Sequence, residues 1–186
     1  MTLVRLNEWV SSLEAGATEQ GLNRISVRTM FGPASTLIEN IAENLIEQAS
    51  GIERDLLSKS LQETLLYCTG TDFELDFSQI KTRLLRFLES RGKSVLIEQF
   101  LSLCIFNFVW FQVGDSFRAT ARTPSSFEKD MESVERICQR IVASTWRSYA
   151  SRQLNTAAAE KLIRRIEQQL RGDSGIRVVR TKPKKH

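Results

Sequence analysis

The sequence predicts an all-α protein, a single-domain bundle of about six to seven helices packed around one buried central helix and followed by a flexible basic tail. Three observations predict it. Only three prolines and nine glycines interrupt 186 residues, so long stretches run free of the residues that punctuate short strands and turns. Within those stretches apolar residues recur at helical spacing. The segment 95–113 is apolar at fourteen of nineteen positions, as expected of a helix covered on nearly all sides.

The remaining composition agrees with a globular chain. It is 41% hydrophobic and 26% charged, close to an ordinary soluble domain, and its length suits one core. The expected organisation is an N-terminal amphipathic helix at 1–15, a linker at 16–32, a helical bundle domain at 33–171 and a basic tail at 172–186.

In chain order, Leu3, Leu6, Trp9, Val10 and Leu13 fall on one helical face, with Gly16 placed to end it. Ile25, Val27 and Phe31 alternate with Arg24, Ser26 and Arg28. A lone strand has no obvious partner, so this stretch is an extended linker. Pro33 suits a first helical turn, after which Leu37, Ile38, Ile41, Leu45 and Ile46 share one side and Glu39, Glu43 and Glu47 another. A third helix at 53–67 buries Leu56, Leu57, Leu61, Leu65 and Leu66 until Gly70. Asp76 reads as an N-cap, with Leu75 stapled on Ile80, for a helix that stops at Gly92.

The central segment carries Glu98, Gln99, Ser102, Asn107 and Gln112 scattered around its circumference. These polar groups are costly in a lipid interior, so the segment is expected to be a core helix and no membrane is expected. Thr123-Pro124-Ser125-Ser126-Phe127-Glu128 is a helix start, with Pro124 in the first turn and Ser125 and Glu128 at capping-box spacing. The helix that follows is expected to reach Arg152, with Phe127, Met131, Val134, Cys138, Ile141, Val142, Trp146 and Tyr149 toward the core. Asn155 caps a last helix with Leu162, Ile163, Ile166 and Leu170 inward, and Gly172 closes it.

Chemistry is constrained chiefly by one residue. The single histidine is His186, at the end of the basic tail, which leaves no ordered imidazole for a Ser-His-Asp triad, a Cys-His dyad or an HExxH zinc site. Asp72, Glu74 and Asp76 begin a calcium-loop pattern, but Phe77 stands where glycine is needed and Arg83 where the bidentate acid belongs. They read as a solvated turn. Gly114-Asp115-Ser116 reads as a helix stop, and Arg171-Gly172-Asp173 as a glycine cap. Cys68, Cys104 and Cys138 are solitary, so they read as buried thiols of a reducing compartment. The N-terminal residues lack the pattern of a secretory signal, and the expected location is the cytoplasm. No cofactor, metal site or catalytic residue is expected, and the chain is expected to be non-enzymatic.

Charge is the positive signal. Residues 1–80 hold 5 Lys+Arg against 12 Asp+Glu, whereas residues 81–186 hold 21 against 10. Residues 1–171 are neutral by count, 21 against 21, so the surplus of +4 lies in the tail. Lys129, Arg136, Arg140 and Arg147 share one helical face, and Lys161, Arg164, Arg165 and Arg171 do much the same on the last helix. Either these cations form a surface for a phosphate backbone, or they pair with the Glu39, Glu43 and Glu47 stripe and with neighbouring acids such as Glu132 and Glu135. Local pairing is favoured for Lys129 and Arg136. The candidate interface is therefore Arg118, Arg122, Arg140, Arg147, Lys161, Arg164, Arg165 and Arg171, with Arg177, Arg180, Lys182, Lys184 and Lys185 of the tail. The expected function is that of an accessory subunit binding nucleic acid or stabilising a nucleoprotein complex. The alternative is a protein-interaction module, a homo-oligomer or an adaptor of a larger enzyme, that uses the opposed acidic and basic surfaces.

Overall fold

A computed structural model of the chain describes residues 2–14, 34–46, 49–70, 77–121, 123–150 and 154–173. Among these residues are seven helices and no strands: α1 (Thr2–Glu14), α2 (Ala34–Leu45), α3 (Gly51–Thr69), α4 (Phe77–Arg91), α5 (Lys93–Thr120), α6 (Pro124–Trp146) and α7 (Thr156–Asp173). The stretches expected as linker (16–32) and tail (172–186) lie outside the described residues, apart from Gly172 and Asp173. So do the Asp72, Glu74 and Asp76 turn and its cap.

The predicted central helix is α5, which packs against α1, α3, α4 and α6. By length and composition it could cross a membrane, since a stretch within Lys93–Ala119 has a mean hydropathy of 1.6. In the fold its first half instead anchors the core: Leu96, Ile97, Phe100 and Leu101 are buried together with Leu6 and Val10 of α1, Leu61 and Leu65 of α3, and Leu84 and Leu88 of α4.

The expectation that α5 is covered on nearly all sides holds only for that first half. Farther along, Phe108 (45%) and Phe111 (56%) are exposed, as are Gln112, Asp115 and Ser116. The helix is scarcely polar there because its other face carries an aromatic cluster. The Trp110 indole stacks on Phe106 and Phe117 at centroid distances of 6.1 and 5.9 Å and meets Phe127 of α6 edge-on at 5.3 Å.

This cluster also explains why Gly114 does not stop the helix, contrary to expectation. The indole lies so close that a Cβ on Gly114 would stand 3.1 Å from Trp110 Cε2. That close approach favours glycine, and α5 runs through Asp115 and Ser116 to Thr120.

Most other boundaries moved by a turn or less; the end of α6 moved farther, from Arg152 to Trp146. Gly70 and Gly92 take positive φ (87° and 81°) where glycines were expected to end helices. Arg83 Nη1 donates to the Thr69 carbonyl at 3.0 Å and so satisfies one of the last acceptors of α3. The start of α6 is capped by Thr123, whose hydroxyl accepts from the Ser126 N–H at 3.1 Å while Ser126 Oγ accepts from the Thr123 N–H at 3.2 Å. The expected Ser125 and Glu128 box is replaced by this pair, two residues earlier at each end, with Pro124 in the first turn as predicted. Gly172 does not close α7, which continues to Asp173.

Asn107 and Ser60 form a buried polar contact in the α3–α5 seam. Asn107 is 4% exposed, and its amide donates to Ser60 Oγ at 3.0 Å and to Glu63 Oε2 at 3.2 Å. A buried amide satisfied in this way fixes the register of the two helices, because sliding either by one turn would leave the amide without partners.

Candidate nucleic-acid interface

The basic face is built by what α6 and α7 bury. On α6, Val134, Cys138, Ile141, Val142, Thr145 and Trp146 face the core, which leaves Arg136 and Arg140 on the outward stripe. The helix ends at Trp146 and not at Arg152, because the indole is tied down. Its Nε1–H donates to Ser94 Oγ at 2.9 Å and to the Ser94 carbonyl at 3.1 Å. The following turn, closed by Tyr149 N–H to the Trp146 carbonyl at 2.7 Å, buries Tyr149 and leaves Arg147 and Ser148 in solvent.

The last helix repeats the logic. Asn155 caps it as predicted, its Oδ1 accepting from the Ala158 N–H at 2.9 Å. Ala159, Leu162, Ile166 and Leu170 are buried, so Lys161, Arg164 and Arg165 are exposed. Ile163 was expected inward and is 37% exposed; Leu162 and Ile166 already fill the buried stripe, and one further residue turns about 100° away from it. The Thr145 hydroxyl hydrogen-bonds to the Gln169 amide oxygen, joining the two helices.

Pairing separates these cations into three groups. Arg118 stands in the last turn of α5, beyond the helix stop expected at Gly114-Asp115-Ser116. Its guanidinium lies 3.7 Å from Asp115 and 5.8 Å from the Phe127 ring centroid. Arg171 sits in the last turn of α7, and both arginines complement the negative end of their helix. Arg164 pairs with Glu160 at 3.7 Å, and Arg136 with Glu132 at 3.7 Å as predicted. Such exposed pairs contribute about 0–1 kcal/mol and are easily exchanged for another anion. Arg140, Arg147, Lys161 and Arg165 make no ion pair among the described residues, and neither does Lys129, against the pairing expected for it.

The Glu39, Glu43 and Glu47 stripe does not neutralise this face. Arg54 takes Glu43, which also accepts from the Ser58 hydroxyl at 3.1 Å, while Glu39 is exposed. Glu47, Arg122, Arg177, Arg180, Lys182, Lys184 and Lys185 lie outside the described residues.

The sequence also holds a signal that counting by halves obscures: between 136 and 166 it carries seven Lys+Arg and one acid, Glu160. The free cations therefore have almost no local acid to meet. Burial pushes the Cys68 and Cys104 thiols up to about 12 and the Cys138 thiol to about 11. Burial disfavours the thiolate, which is the reactive form. Set against known protein families, curated proteins and solved structures, the chain has no match.

Proposed function

We propose that this protein is a non-enzymatic helical subunit that binds the phosphate backbone of nucleic acid through α6, α7 and the basic tail. The observation that carries this reading is that Arg140, Lys161 and Arg165 on two packed helices, and Arg147 in the turn after the first, are exposed without ion-pair partners among the described residues. Cations so placed release counterions from a polyanion when they meet it, and each phosphate neutralised steepens the salt dependence of binding. The tail adds Arg177, Arg180, Lys182, Lys184 and Lys185 to the same charge.

The test is binding to a fluorescent duplex DNA across a salt series. Replacing the four free cations by Gln should flatten the slope of log K against log salt by about 3 to 4 units, and removing residues 173–186 by about 4. Wild-type slope and affinity in both variants would overturn the reading.

A second reading rests on a separate observation. Phe108 and Phe111 are exposed on the central helix, and exposed aromatic side chains commonly anchor protein interfaces. On this reading the chain self-associates or docks on a larger enzyme. Light scattering at low and high salt tests the self-associating form, which predicts a mass above 21.2 kDa.

A further inference from the structure

Free bases and paired bases ask different things of a protein. A surface that holds a single strand combines cations with exposed aromatic rings, on which the unstacked bases lie. A duplex keeps its bases stacked and presents two phosphate backbones, set apart by grooves about 6 to 12 Å wide.

The C-terminal helices expose no ring among the described residues. After Phe127 the chain holds two aromatic side chains besides His186, namely Trp146 and Tyr149, and both are buried. Phe127 itself is half-buried, edge-on to Trp110 and beneath the Arg118 guanidinium. The aromatic rings exposed among the described residues are Tyr67 of α3 and Phe108 and Phe111 of α5. Trp110 turns toward Phe127 of α6. Phe108 and Phe111 project about 200° and about 100° away from it around the helix, so neither ring shares the side on which α5 meets α6 there.

What the last two helices present is two rows of cations. The hydrogen bond from the Thr145 hydroxyl to the Gln169 amide oxygen ties α6 to α7. Along the chain Arg140 and Arg147 stand on either side of Thr145, and Lys161 and Arg165 stand about two turns and one turn before Gln169. Packed helices lie about 8–10 Å apart, which is the order of a duplex groove. Each row extends over about 6 to 10 Å, enough for about two or three phosphates of one strand.

We propose that the basic face is a receptor for double-stranded nucleic acid, with one row of cations on each backbone, and that it takes duplexes of any sequence in preference to single strands. This rests on the nucleic-acid function proposed above and narrows its ligand. Arginine and lysine on phosphates carry no sequence information. A single strand occupies one row at a time and finds no ring for its bases, so it forgoes both the second row and the stacking.

The experiment measures binding of the full chain to short fluorescent DNA duplexes of two unrelated sequences, to an RNA duplex and to oligo(dT) of the same length, across a salt series. The better-bound duplex type should exceed oligo(dT) by at least about fivefold, and the two DNA sequences should agree within about threefold. The comparison of the two duplex types assigns DNA or RNA as the source. Arg140→Gln with Arg147→Gln should flatten the duplex slope of log K against log salt by about 2 units and leave the oligo(dT) slope within about 0.5 unit, because the α7 row still serves a single strand. Lys161→Gln with Arg165→Gln should do the same from the other row. All four side chains are exposed, so the variants should keep the wild-type circular dichroism, and the comparison of ligands on the wild type needs no variant. Oligo(dT) bound within about fivefold of both duplex types, DNA sequences that differ by more than about threefold, or equal flattening of the duplex and oligo(dT) slopes in a folded variant would each overturn the proposal and leave phosphate binding standing. Absence of salt-dependent binding to every probe would overturn the function proposed above and this inference with it.

Discussion

The second and third helices and the last two helices are made from similar material and treat their charges in opposite ways. In α2 and α3, Glu43 is held by Arg54 and Ser58, and Lys59 lies 3.8 Å from Glu63. Around α6 and α7, Arg140, Arg147, Lys161 and Arg165 stand in solvent and make no ion pair among the described residues. Net charge alone would rank the halves only as acidic and basic. Pairing shows that Arg54 and Lys59 meet acids locally, whereas Arg140, Arg147, Lys161 and Arg165, like Lys129, have no ion-pair partner among the described residues. Keeping those cations unpaired costs little stability, because exposed charges interact weakly through water. A surface can therefore keep them where a ligand needs them.

The largest expected effect separates this account from one based on net charge. Arg54→Gln with Lys59→Gln removes the same two charges as Arg140→Gln with Arg165→Gln. If placement decides, the second pair flattens the salt slope of duplex binding by about 2 units, and the first leaves it nearly unchanged. Equal losses would mean that overall charge alone drives binding, and the contrast between the two regions would have no functional content.

Beneath these surfaces the two regions are alike, which gives the next effect in size. Cys68 in α3 and Cys138 in α6 are both buried, and desolvation raises them from 9.0 to about 12 and about 11; for Cys138, Glu135 adds to the rise. A thiol raised in this way stays protonated in the folded chain while it ionises in the unfolded one. Its contribution to stability is complete below pH 9.0 and is lost as the pH climbs toward the folded value. By about pH 11 the loss should be roughly 2 kcal/mol per thiol. Urea midpoints measured from neutral to alkaline pH should fall along this course. Cys68→Ala and Cys138→Ala should each make the fall shallower, whatever they cost at neutral pH. A variant with the wild-type alkaline slope would show that its thiol is not desolvated.

What the sequence disclosed and what it withheld divide along the same physical line. The core stripes of α1, α6 and α7 were legible because burial repeats with the helical period: Leu6 and Val10, Val134 and Cys138, Leu162 and Ile166. The caps at Thr123 and Asn155 were nearly so, since a cap is a local hydrogen bond. Gly114 was misread because its need for a missing Cβ arises from where Trp110 lies, which no pattern of residue types records. The exposure of Phe108 and Phe111 was likewise hidden, because it depends on which neighbours cover α5. The arginine interface was legible as a list of residues but not as a set of free charges. Glu43 chose Arg54 over every basic residue of α6, and only tertiary proximity decides such a choice.

The smallest effect bears on the pairs themselves. Glu43→Ala removes the partner of Arg54 and Ser58 and should cost about 0.5 kcal/mol in a urea titration, the ordinary size for an exposed pair. Arg140→Ala removes a side chain without a partner and should leave stability within about 0.3 kcal/mol of wild type, or raise it slightly by relieving repulsion from neighbouring cations. The sign of the difference carries the weight here, because each change alone is close to experimental error and the two are measured in the same background. If Arg140→Ala proved the costlier of the two, its aliphatic stem would be holding α6 together. Its charge would then be incidental to a packing role, and the free cations would reduce to Arg147, Lys161 and Arg165.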